Sequence, residues 1–267
     1  MLPSRGNTFM KPRHIKCNRG DAYLKPPYTG MCTQFLAMEL VFSLLGSAFG
    51  LPIPSCGIMK IPALQAKKFS APPVSEGHGF VSELVNADPW NGDGRDLRSI
   101  RNVDDISRLV VYDTWIFNRD RYSAISPLPN RFGPHQNFAN VIVSGPLGTR
   151  KRLHSIDFGH AVTYGAPIDA TILSDRVVKS KELLGLFDGF KEHIRRDATE
   201  RAIADMKQLK PDQVRRIVSV VPDEWWLSPN DPRILADFIC ARADFVSTII
   251  MSVLEQEGLQ QLSLGGP

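Results

Sequence analysis

No hydrophobic run in this chain is long enough to cross a membrane. The longest, residues 35–49, carries Glu39 and stops at Gly50 and Pro52; a spanning helix needs about twenty apolar residues. Cysteine is scarce too. Cys17, Cys32, Cys56 and Cys240 lie far apart, with no paired spacing. That excludes a zinc framework and a disulfide scaffold, and it suits the reduced thiols of a cytoplasmic protein. Nor does one sign of charge dominate: 32 basic and 28 acidic residues leave a net +4. So small an excess makes no case for nucleic acid, although it suits a polyanionic ligand. Residues 1–10 are polar and hold Pro3, Arg5 and Gly6, so no secretory signal is expected. The sequence contains no internal repeat and no low-complexity tract.

What is present is a globular composition, 43% hydrophobic and 22% charged over 267 residues. That is enough for one large domain or two lobes with a substantial buried core. Residues 14–17 and 22–25, about Asn18-Arg19-Gly20-Asp21, predict a β-hairpin ended by Pro26 and Pro27. Residues 33–49 read as a helix. Thr33 is its expected N-cap, Phe35, Met38, Phe42, Leu45 and Phe49 recur at threes and fours, and Gly50 closes it. Residues 55–61 and 80–85 read as strands, with a loop at 65–79 and a turn-rich connection at 86–98. Asn102 is the expected cap of a helix reaching Phe117, with Asp104 and Asp105 at its positive end. A proline-bearing loop at 123–136 precedes a hairpin over 139–156. Helices are expected at 180–190, 193–208, 211–220 and 231–256, the last with Asp231 as N-cap and Pro232 at the first helical position. Residues 4–8 are expected to form a small polar turn, and 259–267 to be disordered.

The chemistry concentrates between Asp113 and Val162. Asn118-Arg119-Asp120-Arg121 follows a helix, Asn140 opens the apolar strand Val141-Ile142-Val143, and Asp157-Phe158-Gly159 follows Ile156 at the end of another. Taken singly, Asp120 reads as a loop acid paired with Arg119 or Arg121, Asn140 as a turn residue, and Asp157 as a strand-end cap. Taken in order, they are the parts that phosphoryl transfer needs. One carboxylate accepts a hydroxyl proton, and an amide and a second carboxylate hold Mg²⁺. Asp157 argues hardest, because an acid ending an apolar strand needs a cation or strong donors. Asn137 competes with Asn140, which directly precedes the apolar run. Lys25, ending a short strand, suits the phosphates of ATP; Glu39, inside an apolar helix, suits an ion pair with that lysine. Asp113, on the apolar face of its helix, reads as structural, bonded to loop backbone or to Arg121. His14, His154 and His160 lack metal-ligand spacing.

These residues resemble the HipA-like branch of the kinase superfamily, in which a helix leads into an Asn118-Arg119-Asp120-Arg121 pattern and a later Ile156-Asp157 pair. The likeness continues at the front, in Tyr23-Leu24-Lys25, Glu39, Leu45-Gly46 and Gly50-Leu51-Pro52-Ile53-Pro54, and spans residues 5–165. Asp120-Arg121, Asn140-Val141 and Ile156-Asp157-Phe158-Gly159-His160 also look like the phosphatidylinositol kinases, which rank second because they are usually much larger. The resemblance implies an α+β, two-lobed protein-kinase-like fold. Its small β-containing N-lobe would occupy 1–85, an interlobe linker 86–98, and a mainly helical C-lobe 99–258. It further implies an ATP- and Mg²⁺-dependent phosphotransferase. Asp120 would be the catalytic base, Asn140 and Asp157 the metal ligands, and Lys25 with Glu39 the pair that anchors ATP. The expected acceptor is a protein serine or threonine, and an antitoxin-type partner is compatible with the family. Three departures stand out: Tyr122 where many relatives have histidine, an apparent insertion at 123–136, and only residues 4–8 for a glycine-rich loop. Two other readings stay open. One is a non-catalytic nucleotide-binding interaction module that keeps the fold; the other is a phosphatidylinositol or small-molecule kinase.

Overall fold

The computed structural model describes residues 12–18, 20–69, 72–127, 133–145 and 150–259. The polar turn expected at 4–8, Arg19 of the first hairpin turn, the middle of the 123–136 loop and the expected tail beyond Leu259 lie outside them. The chain forms two compact units, Met1–Cys32 with Ser55–Leu84, and Thr33–Pro54 with Val85–Pro267.

In the first unit β1 (Arg13–Cys17) and β2 (Gly20–Lys25) make the expected hairpin, in register Arg13↔Leu24. With β3 (Cys56–Ile61) and β4 (Gly77–Glu83) they build an antiparallel sheet in the order β1-β2-β4-β3. Period-2 alternation turns Ala22 and Leu24 inward and leaves Tyr23 exposed. Leu24, Tyr28, Ile61, Ala66 and Val74 form the small core. The loop expected at 65–79 is shorter than the sequence suggests. A helical turn occupies Ala63–Ala66, and Gly77 already pairs with Ile61.

The second unit opens with α1 (Gln34–Ala48). Thr33 does not cap it by its side chain; its hydroxyl instead donates to the carbonyl of Glu224 at 3.0 Å. Gln34 donates through Nε2 to Asp231 at 2.9 Å and accepts the Ile168 amide through Oε1 at 2.9 Å. These long-range bonds group residues 33–54, which the sequence places with the N-lobe, with the later helices. Residues 86–98, expected as a linker, are likewise built into this unit. There β5 (Ala87–Pro89) pairs with β8 (Val141–Ser144), and the Trp90 amide donates to Val141 at 2.8 Å.

Next comes α2 (Asp104–Trp115), with Val103 rather than Asn102 at its N-cap. The Asn102 side chain instead clasps both backbone groups of Leu153, at 3.0 Å each. The expected 123–136 loop contributes β6 (Tyr122–Ser123) and β7 (His135–Gln136), which pair with each other. β9 (Arg152–Ser155) completes the sheet β5-β8-β9. Three longer helices follow: α3 (Arg196–Gln208), α4 (Pro211–Ser219) and α5 (Asp231–Gln256). Asp231 lies inside α5, after an Asn230 N-cap, and its carboxylate accepts the amides of Leu227 and Ser228.

The helix expected at 180–190 does not form. The Arg242 guanidinium takes the carbonyls of Val178 and Ser180 at 3.0 and 2.8 Å, the Thr114 hydroxyl bonds both backbone groups of Leu184, and Gly185 turns with φ +76°. Tertiary partners therefore satisfy the backbone groups that a helix would have paired.

The class is α+β, as expected, with a small antiparallel sheet early and helices late. Among the described residues, no helix is long and apolar enough to cross a membrane.

Candidate active site

The geometry around Asp120 begins at the end of α2. Phe117 turns the chain with φ +55°. Asn118 then folds back on Asp113, its amide N–H donating to the Asp113 carbonyl at 2.8 Å and its Nδ2 to Oδ1 at 2.9 Å. Through Oδ1, Asn118 also accepts the Asp120 amide at 3.3 Å. This clasp presents Asp120, which is 8% exposed.

Asn140 ends a short 3-10 turn, Phe138–Asn140, just before β8. Its Nδ2 donates to Asp120 Oδ2 at 3.0 Å, and Asn137 Nδ2 reaches the same oxygen at 3.5 Å. An ionised carboxylate only accepts, so the amide nitrogen of Asn140 must face Asp120 and its oxygen must face away. The Asn140 carbonyl accepts the Ile156 amide at 3.1 Å. Asp157 is thus one residue beyond a direct bond to Asn140, in a left-handed conformation with φ +62°. Asp120 and Asn140 meet by their side chains; Asp157 joins them through the backbone of its neighbour.

The organising residue is Arg121, fully buried. Its guanidinium donates to the carbonyl of Asn140, to Ser155 Oγ at 2.8 Å and to the Ile156 carbonyl at 3.2 Å. It lies 5.3 Å from the Phe158 ring centroid. It also forms the ion pair expected with Asp113: Nε and Oδ2 stand 2.7 Å apart, without the alignment of a hydrogen bond. Burial pushes the Asp113 carboxyl up to about 6, against the opposing pull of Arg121. One cation thereby ties the helix before Asp120 to the strands that carry Asn140 and Asp157.

Glu39, on α1, is 3% exposed, and its Oε2 accepts the Gly159 amide at 2.8 Å. A Cβ at Gly159 would stand 3.1 Å from that oxygen, so glycine permits the approach. Lys25 lies in the first unit, on β2 opposite Phe80 of β4.

No pattern along the chain pointed to His135. The return strand β7 sets its Nε2 2.9 Å from the Asp120 carbonyl and 3.6 Å from Oδ1. Only the register of a two-residue ladder, invisible in the pattern, brings it there.

Among the described residues no three His, Cys, Asp or Glu side chains gather as a metal cage. Mg²⁺ on a nucleotide does not need one, since it takes one or two protein oxygens, phosphate oxygens and water. The amide oxygen of Asn140 and the Asp157 carboxylate are oxygen donors of the kind that it takes.

The HipA-like kinase family matches residues 5–143, just over half of the chain. That span includes Lys25, Glu39, Asp120 and Asn140, and ends before Asp157. Among solved structures, the Helicobacter pylori proinflammatory kinase CtkA is similar with a TM-score of 0.55 at 12% identity, over 94% of this chain and 98% of that one. At such identity the likeness concerns the fold, which is kinase-like, and it extends through the helices after residue 143. No curated protein matches the chain. This chain belongs to the HipA-like kinase family.

Proposed function

We propose that this kinase transfers the γ-phosphate of ATP to a serine or threonine hydroxyl on a protein, with Asp120 as the base. One observation carries most of the support: the Asn140 amide is held by its nitrogen on Asp120, and the Asn140 backbone carbonyl accepts the amide of Ile156, the residue before Asp157. Asp120 Oδ2 is occupied by the Asn140 side-chain amide. Oδ1 is left to orient the acceptor hydroxyl and take its proton. Asn140 Oδ1 and the Asp157 carboxylate would hold the metal. Bound with ATP, Mg²⁺ supplies charge neutralisation on the phosphate oxygens. Glu39 keeps the turn after Asp157 in shape through the Gly159 amide. Lys25 takes the role that the family pattern implies for it, on the ATP phosphates.

Asp120→Asn keeps the side-chain volume and removes the base. The purified variant should bind ATP and transfer no phosphate, read by mass spectrometry of itself and of protein extract incubated with Mg²⁺–ATP. Transfer at the wild-type rate overturns the assignment. Wild-type protein that binds ATP yet labels nothing is the non-catalytic module instead; labelling of phosphoinositides but not protein makes it a lipid kinase.

A further inference from the structure

On the reading that Asp120 is the base, we propose that His135, on the return strand β7 between Asp120 and Asn140, is a positioning residue for it. A carbonyl oxygen only accepts, so the 2.9 Å contact between His135 Nε2 and the Asp120 carbonyl requires a proton on Nε2. That donor fixes the peptide from which the Asp120 side chain springs. The same N–H lies 3.6 Å from Oδ1, the carboxylate oxygen that Asn140 leaves open.

The imidazole is itself held from three sides. Ser123 pairs with His135 and Tyr122 with Gln136, and the Asn137 amide donates to the Arg121 carbonyl at 2.8 Å. The Tyr164 ring meets the imidazole edge-on at 5.8 Å, and the His135 side chain is only 14% exposed. The chain thus leaves Asp120 at β6 and comes back beside it at β7 through two paired residues. Tyr122 packs its ring against Phe187 at 5.6 Å.

The test compares wild type, His135→Ala and His135→Gln, because a glutamine amide can donate to the same carbonyl. His135→Ala should lower kcat by roughly 10–100-fold while KM for ATP changes by less than about twofold, the signature of a misplaced catalytic group. His135→Gln should recover most of the loss at unchanged thermal stability. A purely structural histidine would instead move the melting temperature and leave the two variants alike. Independently of activity, ¹⁵N NMR of histidine-labelled wild type and of Asp120→Asn should show His135 protonated at Nε2. An unchanged kcat in His135→Ala, no rescue by glutamine, or an Nδ1–H tautomer overturns the proposal. If wild type transfers no phosphate at all, the reading of Asp120 fails, and the tautomer alone decides whether the His135 contact exists.

Discussion

Replacing Arg121 by methionine removes a buried cation that ties α2 to the starts and ends of β8 and β9 and keeps most of the volume. The loss can be worked from its partners. Asp113 and Arg121 are both fully buried, 2.7 Å apart. Truncating one member of such a pair typically costs about 3–5 kcal/mol, because it strands the other charge. Against a total stability of roughly 5–15 kcal/mol, that is a large fraction.

The stranded group also dictates how the loss varies with pH. In the wild type the Asp113 carboxyl stands at about 6, above its ordinary value of 3.8. Between those values the folded state holds a proton that the unfolded state has released. The stabilisation is therefore complete below 3.8, is lost as pH rises toward about 6, and stays constant above it. Without Arg121 the opposing pull vanishes and the window extends upward. The variant should then lose up to about 1.4 kcal/mol per pH unit between pH 7 and 8, where this group leaves the wild type nearly flat. Trp90, Trp115, Trp225 and Trp226 all lie in the second unit, so urea unfolding followed by tryptophan fluorescence reports on that unit. Asp113→Asn in the same background should restore about 2 kcal/mol or more by removing the stranded charge. A loss below about 1 kcal/mol, independent of pH, would refute the account of the pair.

Gly185→Ala places a Cβ 2.5 Å from Asp113 Oδ2 at φ +76°, whereas Gly258→Ala, at φ +71°, meets nothing within 4 Å. The first should destabilise by about 2–4 kcal/mol and the second by about 1 kcal/mol. Equal shifts in urea midpoint would mean that the contact with Asp113 does not matter. Asn140→Ala should raise the Mg²⁺ concentration needed for half-maximal transfer by roughly 10–100-fold, and Asn137→Ala by far less. The reverse order in a Mg²⁺ titration would move the ligand from residue 140 to 137.

Elements written in local pattern were legible. The β1–β2 hairpin, α1 with its closing Gly50, and the β8–β9 hairpin each carry a period and a stop signal within their own span. Residues 180–190 looked equally helical, but Gly185 turns the chain and Arg242 and Thr114, neither visible from within the segment, take up its backbone bonds. Thr33 and Asn102 looked like caps because their side chains suit the task; both are spent on distant backbone instead. At the site, Asp120 and Asn140 were singled out for their chemistry, and the fold brings their side chains to 3.0 Å. Glu39 was expected to pair with Lys25; within its own unit its carboxylate accepts the Gly159 amide. His135 stayed hidden because its role depends on strand register alone.

Backbone strain shows why composition could name the site without shaping it. Among the described residues, four that are not glycine adopt positive φ: Phe117 at 55°, Asp157 at 62°, Val162 at 64° and Tyr164 at 51°. Each conformation costs on the order of 1–3 kcal/mol, and the β-branched Val162 is the least suited to it. They are not scattered. Phe117 bends the chain out of α2 into Asn118-Arg119-Asp120, and Asp157 is itself the expected metal ligand. Val162 donates its amide to the Phe117 carbonyl at 3.2 Å, locking the two turns together, and Tyr164 packs against His135. Glycine at 117 would relieve the strain but would give up a ring that lies 4.4 Å from the Arg119 guanidinium and 5.3 Å from that of Arg242. Side chains kept at such positions mean that packing from several elements, rather than local preference, holds Asp120 and Asp157 in place. A pattern read along the chain can identify those acids, but their conformations belong to the assembled unit.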